Sequence, residues 1–397
     1  MGMQQIFLGS GGGGDIGPLL FPMSRDSSGQ KYIHAVKTDG TVLGTFNAGV
    51  DAVAYCDFRV GNNYYHGTYN SVIYKTNLQT FATTSITNSN NGTPYGWAPI
   101  TENKFIAIRY DKYYIMDVDA DTVTETTYTA SFESNSAQVI TTLGFTTFGE
   151  NLFSTGSYVF SAAGISGSPY SLKVFRHSRS GTTLSSAQEW LNTGANYSRT
   201  FGIHDSHGNV DLIIRDDTGH HYLRETAAAG SFTPSLLSGW SQVYNNGAFT
   251  FSNHCIADGR WYHYNQKSIS TYVYEHALVY QNLDPSASQT VVDTGIRVPG
   301  HSDSSSGSYN YASGGTYLTT INTDGYVAIA YWDKIDEGDY LTDRLRIKVI
   351  DRNNTVVSNT YVDVGASYTS GNNSNTFGMI GANYVTDTLY SGSTYSE

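Results

Sequence analysis

Histidine and carboxylate residues crowd into one short stretch of the chain, between residues 204 and 221. The group comprises His204, Asp205, His207, Asp211, Asp216, Asp217, His220 and His221. Imidazole and carboxylate side chains bind zinc and carry out acid–base catalysis, and His204, His207 and Asp211 are the candidate metal ligands. Their spacing matches a zinc site only loosely, and the stretch is equally typical of two hairpin turns that flank a strand from Val210 to Arg215. We therefore assign neither a metal nor a cofactor from the sequence.

A second group of carboxylates alternates along the chain at Asp117, Asp119 and Asp121. Alternate residues of a strand share a face, so these oxygens would suit a calcium ion. The segment lacks the glycine and the distal glutamate of an EF-hand loop. A solvated hairpin tip is the prediction here.

Aromatic residues are the other candidates for a site, because the chain holds 32 Tyr and 17 Phe while only 14% of its residues are charged. A tyrosine or tryptophan face covers the apolar face of a sugar, and amides and hydroxyls meet its hydroxyl groups. The candidate ligand-binding residues are Trp240, Trp261, Tyr309 and Tyr311. The alternative is that such aromatic side chains simply pack between sheets.

A glycan hydrolase of the sialidase kind would need clustered arginines, a tyrosine nucleophile and an acid that activates it. The arginine candidates are Arg59, Arg109, Arg176, Arg215 and Arg297. Their spacing is that of ordinary surface arginines, so we predict no catalytic residues and no enzyme, with a glycan hydrolase kept as the alternative. The formal charge of −12, spread without long blocks, argues against nucleic acid as a partner.

Seven β-rich stretches that end in polar turns must position these residues. They begin at Lys31, Val72, Tyr113, Ser171, Gly219, Ser270 and Arg344. Their average spacing is close to the roughly 40–50 residues of a four-stranded propeller blade. The sequence therefore predicts an all-β fold, a β-propeller with seven blades, and a pair of β-sandwiches or a β-helix remains the alternative.

Local patterns support the β assignment. Apolar and polar residues alternate in Phe105–Tyr110, Tyr113–Val118 and Leu345–Ile350, as they do in half-buried strands. Turn dipeptides such as Asp39-Gly40 and Asn353-Asn354 separate the runs.

The start of the chain differs from the rest. Ile6, Phe7 and Leu8 form a short apolar peg, and the glycine-rich residues that follow behave as a flexible tether. We predict a peg and tether over residues 1–20 and a propeller domain over 21–397, with a frayed terminus as the alternative. The sequence shows neither a secretory signal nor an apolar run long enough to span a membrane.

Two resemblances add to this reading. The segment from Arg215 to Tyr222 resembles an Asp-box, the turn between the outer strands of sialidase-like propellers, and Ser24 to Tyr32 is a second approximate copy. The opening residues from Gln5 to Gly12 resemble the start of small structural and fibre-associated proteins of tailed bacteriophages. That second resemblance implies a virion component made in the host cytoplasm and assembled through its N-terminal peg onto head, neck or tail proteins.

Three functions follow as hypotheses. The first is a phage virion protein that displays a propeller on the particle, where it binds host-surface glycan. The second is a free lectin-like propeller, and the third is a sialidase-like glycan hydrolase. The virion hypothesis predicts particle incorporation that depends on the N-terminal residues. The lectin hypothesis predicts sugar binding without an assembly partner, and the hydrolase hypothesis predicts turnover of a glycan.

Overall fold

The computed structural model describes most of the predicted strands and their hairpins. The described residues are 19–25, 30–49, 52–68, 72–87, 98–101, 103–109, 112–127, 152–154, 158–165, 171–192, 199–206, 209–215, 220–224, 227–232, 236–242, 255–257, 259–270, 273–282, 290–301, 316–320, 326–333, 344–363 and 377–380. All regular structure within them is β-strand. No helix in these ranges is long and apolar enough to cross a membrane.

Strand follows strand along the described part of the chain. In the first half they are β1 (Leu19–Arg25), β2 (Lys31–Lys37), β3 (Val42–Asn47), β4 (Ala52–Val60), β5 (Asn63–Thr68), β6 (Val72–Asn77), β7 (Thr83–Thr87), β8 (Ala98–Thr101), β9 (Lys104–Arg109), β10 (Lys112–Asp117), β11 (Thr122–Thr127), β12 (Leu152–Ser154), β13 (Tyr158–Ile165), β14 (Ser171–Ser180) and β15 (Thr183–Asn192). In the second half they are β16 (Arg199–Ser206), β17 (Asn209–Arg215), β18 (His220–Arg224), β19 (Ala227–Phe232), β20 (Ser241–Gln242), β21 (Cys255–Ala257), β22 (Arg260–Ser270), β23 (Val273–Asn282), β24 (Val292–His301), β25 (Thr316–Thr320), β26 (Val327–Asp333), β27 (Arg344–Ile350), β28 (Val356–Asp363) and β29 (Phe377–Ile380).

These strands form seven antiparallel sheets within the described residues. In order of pairing, sheet 1 is β29-β1-β2-β3, sheet 2 is β4 to β7, sheet 3 is β8 to β11, sheet 4 is β12 to β15, sheet 5 is β16 to β19, sheet 6 is β20-β22-β23-β24 with β21 also on β22, and sheet 7 is β25 to β28. Sheets 2 to 5 and sheet 7 are up-and-down meanders of the kind that makes one propeller blade, and sheets 1 and 6 have the same antiparallel four-strand order with one inner strand that is not next in sequence. The predicted fold class, an all-β propeller with seven blades, is confirmed.

The repetition in the sequence has a single structural origin. The seven stretches found in the sequence supply β2, β6, β10, β14, β18, β23 and β27, which are the third strands of sheets 1 to 7. Each third strand is followed in sequence by the outer, fourth strand with which it pairs, and in sheets 1 to 4 and 7 the connection has two to five residues. The repeat is therefore the outer hairpin of the blade.

Local hydrogen bonds explain why these hairpin turns are rich in Asp and Asn. In sheets 2, 3 and 7, the side-chain Oδ1 atoms of Asn77, Asp117 and Asp351 each accept two backbone N–H bonds from the turn that follows. Short polar side chains close such turns by replacing backbone acceptors. Gly40 and Asn354 have φ of 88° and 63°, a left-handed conformation that Gly and Asn accept most readily.

Sheet 1 joins the two ends of the described chain. Its strands β1, β2 and β3 come from the first fifty residues, and β29 adds along β1 with Phe21 opposite Ile380. The register shifts at Pro22 and Met23. A proline cannot donate to the ladder, and such an irregularity is one of the places where a strand tolerates it.

The sheets group into two compact units. One unit holds sheets 2 to 5 within residues 51–233, and the other holds sheets 1, 6 and 7 within residues 16–50 and 234–382. In the first, Tyr65 and Ile73 of sheet 2 pack with Phe105 and Met116 of sheet 3. In the second, one face of sheet 6 packs with Val327, Ile329 and Ile350 of sheet 7.

Most of the described tyrosines that line these interfaces are core residues. Tyr65, Tyr114, Tyr262 and Tyr264 are all buried in these clusters. Burial raises the pKa of the Tyr65 hydroxyl well above its ordinary value, which keeps it protonated. For these residues the alternative of packing between sheets is confirmed.

Both Asp-box-like segments occupy a different place from the one the resemblance implies. One connects β17 to β18 and the other connects β1 to β2, so both join the second strand of a sheet to the third. The expectation of a turn between the outer strands is therefore wrong. The central residues of both segments, 216–219 and 26–29, lie outside the described residues, as does the peg-and-tether segment up to residue 18.

Candidate ligand-binding site

Sheet 6 has one apolar face and one polar face. On β22 the side chains of Tyr262 and Tyr264 point to the face that packs on sheet 7. Because side chains alternate along a strand, Trp261, His263, Asn265 and Lys267 share the opposite face. The alternating sequence of β22 thus gives this strand a polar face and, on its other side, an apolar face.

The inner part of this polar face is fully buried. The indole ring of Trp261 stacks on the imidazole of His263 with a centroid distance of 4.1 Å, and His263 Nε2 lies 3.1 Å from Gln281 Oε1. Burial lowers the pKa of His263 to about 4, because the charged imidazolium would lose its hydration. His263 is therefore neutral at physiological pH and supports the sheet.

Asn265 connects the buried part to the surface. Its side chain is buried, and its Oδ1 accepts a hydrogen bond of 2.9 Å from the N–H of Leu237. Leu237 begins a turn in which the N–H of Trp240 donates to the Leu237 carbonyl at 3.0 Å, and Gly239 takes a φ of 80°. The amide of Asn265 thus fixes the turn that presents Trp240.

Trp240 lies half-buried between two cations of the same sheet. The guanidinium carbon of Arg297 is 5.2 Å from the centre of the indole ring, and the Lys267 ammonium is 6.0 Å from it. These distances are within the range in which a cation is attracted to an aromatic ring. The turn that carries Trp240 and the two cations over its ring therefore hold the orientation of the indole.

Asp293 fixes Arg297 in a planar, two-pronged ion pair. The Nη1···Oδ1 and Nη2···Oδ2 distances are 2.8 and 2.6 Å, and Asp293 Oδ1 also accepts from the N–H of Gly295. Hydrogen bonding to Arg297 holds the pKa of Asp293 below its usual value, and the same pair raises the pKa of Arg297. Both groups remain ionised at neutral pH and keep their relative geometry.

A bulge in β24 brings this pair together. Asp293 lies opposite Val279 and Arg297 lies opposite Ala277, so four steps along β24 correspond to two along β23. Gly295, with a φ of 77°, absorbs the extra residues. Without the bulge, side chains four residues apart on a strand would stand too far apart to pair.

The charges around the ring balance. Lys267 lies opposite Glu275 in the register of β22 and β23, and Arg297 is paired with Asp293. Two cationic and two anionic side chains thus lie near the aromatic ring, and the ion pair fixes Arg297 and Asp293. Such a surface suits a neutral polyhydroxylated ligand, whose hydroxyls both donate and accept.

The predicted aromatic candidates have separate outcomes. Trp240 lies in this site, whereas Trp261 is only 1% exposed and has its ring face against His263. Tyr309 and Tyr311 lie outside the described residues. The ligand-binding role stays a prediction, and of the two described candidates Trp240 is the one with cations over a partly exposed ring.

The histidine–aspartate stretch forms the strands predicted for it. His204 on β16 lies opposite Asp211 on β17, while His207 is outside the described residues. No group of three or more His, Cys, Asp or Glu side chains able to hold a metal occurs in the described part of the chain. The predicted strand from Val210 to Arg215 is present in β17, and Ser206 opposite Asn209 confirms that a turn joins it to β16, whereas the predicted turn at 216–219 lies outside the described residues.

The aspartate series of sheet 3 forms the predicted hairpin tip. Asp117 accepts from its own turn, Asp119 Oδ2 accepts from the Asn103 amide at 2.8 Å, and Asp121 forms an ion pair of 2.7 Å with Lys75 of sheet 2. Each carboxylate therefore has a different structural partner. The prediction that this segment is a hairpin tip is confirmed.

Two of the five arginines proposed for a hydrolase site have described side chains, and each bonds to a residue of its own sheet. Arg59 is buried and its Nε donates to the Gly61 carbonyl at 2.5 Å within the β4–β5 hairpin. Arg297 belongs to the Trp240 site. Of Arg109, Arg176 and Arg215 the structure describes the backbone only, within β9, β14 and β17.

Several residues of the site were not found from the sequence. Lys267, Asp293 and Asn265 carry no motif, and their proximity depends on strand register and on the bulge at Gly295. The available signal was the pair Asp293 and Arg297 on either side of a glycine in an otherwise apolar strand, since such a glycine marks a bulge.

Similarity to known proteins concerns the fold. The periplasmic gluconolactonase of Pseudomonas aeruginosa is 11% identical, with a TM-score of 0.43 over 89% of this chain and 98% of that one. A puromycin-hydrolysing peptidase of Mycobacterium tuberculosis is 9% identical, with a TM-score of 0.46 over 86% of this chain, which spans 52% of the peptidase. Regucalcin, a calcium-binding protein of Agrobacterium tumefaciens, is 10% identical, with a TM-score of 0.37 over 72% of this chain and 88% of that one. No protein family and no curated protein matches the sequence.

Proposed function

We propose that the protein is a carbohydrate-binding propeller that recognises a neutral glycan through Trp240. The observation that carries this proposal is the partly exposed indole ring with the guanidinium of the fixed Asp293–Arg297 pair over it. A pyranose ring would lie on the indole, and its hydroxyls would bond to the carboxylate and the guanidinium.

The rigidity of the site supports binding. The ring, the turn below it and the ion pair are all tied to sheet 6 by bonds that exist without ligand. A site that is ordered in advance loses little conformational entropy when the ligand arrives. Weak individual contacts to a sugar are then sufficient for recognition.

The test is a glycan array followed by titration of the best ligand. Replacing Trp240 by Ala is expected to weaken binding at least about tenfold, because the stacking surface is lost. Leu236→Ala is the matched control, since Leu236 is an exposed apolar residue of the same segment, 41% accessible. Binding that survives the tryptophan substitution unchanged would refute the assignment of the site.

The same titration distinguishes binding from catalysis. The glycan is followed by NMR over hours in the presence of the protein. Intact glycan with perturbed resonances is the expected result. Appearance of a shortened product would instead support the hydrolase alternative.

We further propose that this propeller is displayed on a tailed-phage particle. The support is the resemblance of Gln5 to Gly12 to the start of phage structural proteins, together with a charged fraction of only 14%. Particles are purified from a lysate and their proteins identified by mass spectrometry. Recovery in the particle fraction, lost when residues 1–14 are deleted, is expected, and recovery only as free protein would overturn the proposal.

A further inference from the structure

The third strand of sheet 7 carries cations at alternate positions. β27 has the sequence RLRIKVI. Because side chains alternate along a strand, Arg346 and Lys348 share one face, and the buried Ile347 and Val349 share the other. Two positively charged side chains therefore begin roughly 7 Å apart on the same side of the sheet.

The acidic residues of this sheet are placed away from that pair. The four described strands of sheet 7 contain two, Asp333 and Asp363, and the register sets both opposite Arg344. Opposite charges at facing positions stabilise a sheet, so the register matches these two carboxylates with Arg344. Arg346 and Lys348 have neutral residues at the facing positions of both neighbouring strands.

Tyr361 on β28 presents an exposed aromatic ring beside the two cations. It faces Arg346 in a part of the register that is regular from Ser358 to Asp363, beyond the bulge at Val357. Tyr361 is 52% accessible, and the guanidinium carbon of Arg346 lies 5.5 Å from the centre of its ring. The attraction between the cation and the ring orients the phenol while most of it stays in contact with water.

Asn359 completes the exposed group. It faces Lys348 in the register, and it is exposed two residues before Tyr361 on the same face of β28. Arg346 Nη1 donates to Asn359 Oδ1 at 3.5 Å, so the amide and the guanidinium are neighbours. The resulting group of two cations, an amide and a phenol is called the Tyr361 patch, and its members are Arg346, Lys348, Asn359 and Tyr361.

Sheet 6 covers the other end of the same face. Ile350 lies two residues beyond Lys348 on β27, and Ile329 faces Lys348 on β26. Both isoleucines belong to the apolar cluster that sheet 7 forms with sheet 6. The Tyr361 patch begins where this cover ends, so a ligand can reach it without opening the core.

We propose that the Tyr361 patch binds a sugar that carries a carboxylate, that is, a uronic acid or sialic acid residue of a glycan. The guanidinium and the ammonium can both donate to the carboxylate, and the phenol ring can cover the apolar face of the sugar. The side-chain amide of Asn359 can donate to and accept from the sugar hydroxyls.

This site differs in chemistry from the one at Trp240 and does not depend on it. At Trp240 the register or an ion pair matches each cation with a carboxylate, Glu275 for Lys267 and Asp293 for Arg297. At the Tyr361 patch the register matches the cations with a phenol and an amide. The first arrangement suits a neutral sugar, and the second suits a sugar that brings its own negative charge.

Titration of the full chain with two acidic oligosaccharides, 3′-sialyllactose and trigalacturonate, tests the proposal. At least one should bind. Its neutral counterpart, lactose or the methyl ester of trigalacturonate, should bind at least about tenfold more weakly, because the charge-assisted hydrogen bonds are lost. The affinity for the acidic sugar should also fall as salt is added, since exposed charges are screened.

Three variants locate the bound carboxylate. Arg346→Gln, Lys348→Gln and Tyr361→Ser should each weaken binding of the acidic sugar at least about tenfold. Lys348→Arg should keep most of the affinity, because it keeps the charge. The matched control is Lys37→Gln, which removes one cation from a strand of sheet 1 in the same unit and should leave the affinity unchanged. Thermal melts of every variant establish that it is folded.

Two results would overturn the proposal. The first is that neither acidic sugar binds, or that the neutral counterpart binds as tightly as the acid. The second is acid-dependent binding that survives the substitutions of Arg346, Lys348 and Tyr361, because the carboxylate would then be bound elsewhere. Neither result bears on the neutral-glycan site, which Trp240→Ala tests separately on sheet 6.

Discussion

Acid should unfold this protein at a pH well above that at which carboxylates titrate, because four buried histidines must stay neutral in the fold. Burial lowers the pKa of His34, His263 and His276 to about 4 and that of His177 to about 3, from an ordinary value of 6.5. The unfolded chain takes up protons at these residues as soon as the pH falls below 6.5. The folded chain does not, so stability is lost progressively from pH 6.5 down to the folded pKa values.

The size of the effect follows from the linkage between proton binding and folding. One pKa unit corresponds to 1.36 kcal/mol, so each histidine destabilises the fold by about 2 kcal/mol at pH 5 relative to pH 7.5. The four together give on the order of 8 kcal/mol. A whole domain has a stability of only about 5–15 kcal/mol, so the loss at pH 5 should be large enough to unfold the sheets that hold these residues.

Urea unfolding followed by circular dichroism at pH 7.5, 6.5, 5.5 and 5.0 measures this dependence. His276→Phe isolates one contribution, since His276 is buried with its ring 6.0 Å from that of Tyr264 and a phenyl ring keeps that contact. The variant should lose about a quarter of the pH dependence whatever its stability at pH 7.5. A free energy of unfolding that is flat between pH 7.5 and 5.0, or an unchanged slope in the variant, would refute the argument.

Three further outcomes are expected from single substitutions. Gly40→Ala should lower the free energy of unfolding by about 1–3 kcal/mol, because its Cβ would lie 2.5 Å from Thr360 Oγ1 at a φ of 88°, and Thr360→Ala should restore part of the loss in thermal melts. Asn265→Ala should cost about 1–3 kcal/mol in the same assay and speed hydrogen exchange at the Leu237 amide, which loses its buried acceptor. Asp121→Asn should change the free energy of unfolding by less than about 1 kcal/mol, since its ion pair with Lys75 of sheet 2 is partly exposed to water. A larger loss would mean that the ion pair stabilises the fold more than an exposed pair should.

The sequence predicts the blades because their outer hairpins are encoded locally. Alternation in the third strand and an Asp or Asn at the turn, as at Asp117 and Asp351, are visible within about ten residues. The binding site is different, since Trp240 meets Arg297 only after β24 has taken its bulge and β22 its register. Contacts across strands depend on pairing that no local pattern specifies. The position expected from the Asp-box resemblance was wrong for a related reason, because a turn motif does not specify which hairpin of a blade it closes.

Because β29 pairs with β1, sheet 1 is complete only after the last described strand has been synthesised. Phe21 has its partner in Ile380, so during translation β1 is made before its partner and keeps an open inner edge until β29 has left the ribosome. Closing a loop of that length in a flexible chain costs roughly 5 kcal/mol of entropy. A nascent chain is therefore exposed to proteases and to aggregation along β1 for most of its synthesis, and premature termination before Phe377 would leave that edge permanently uncovered.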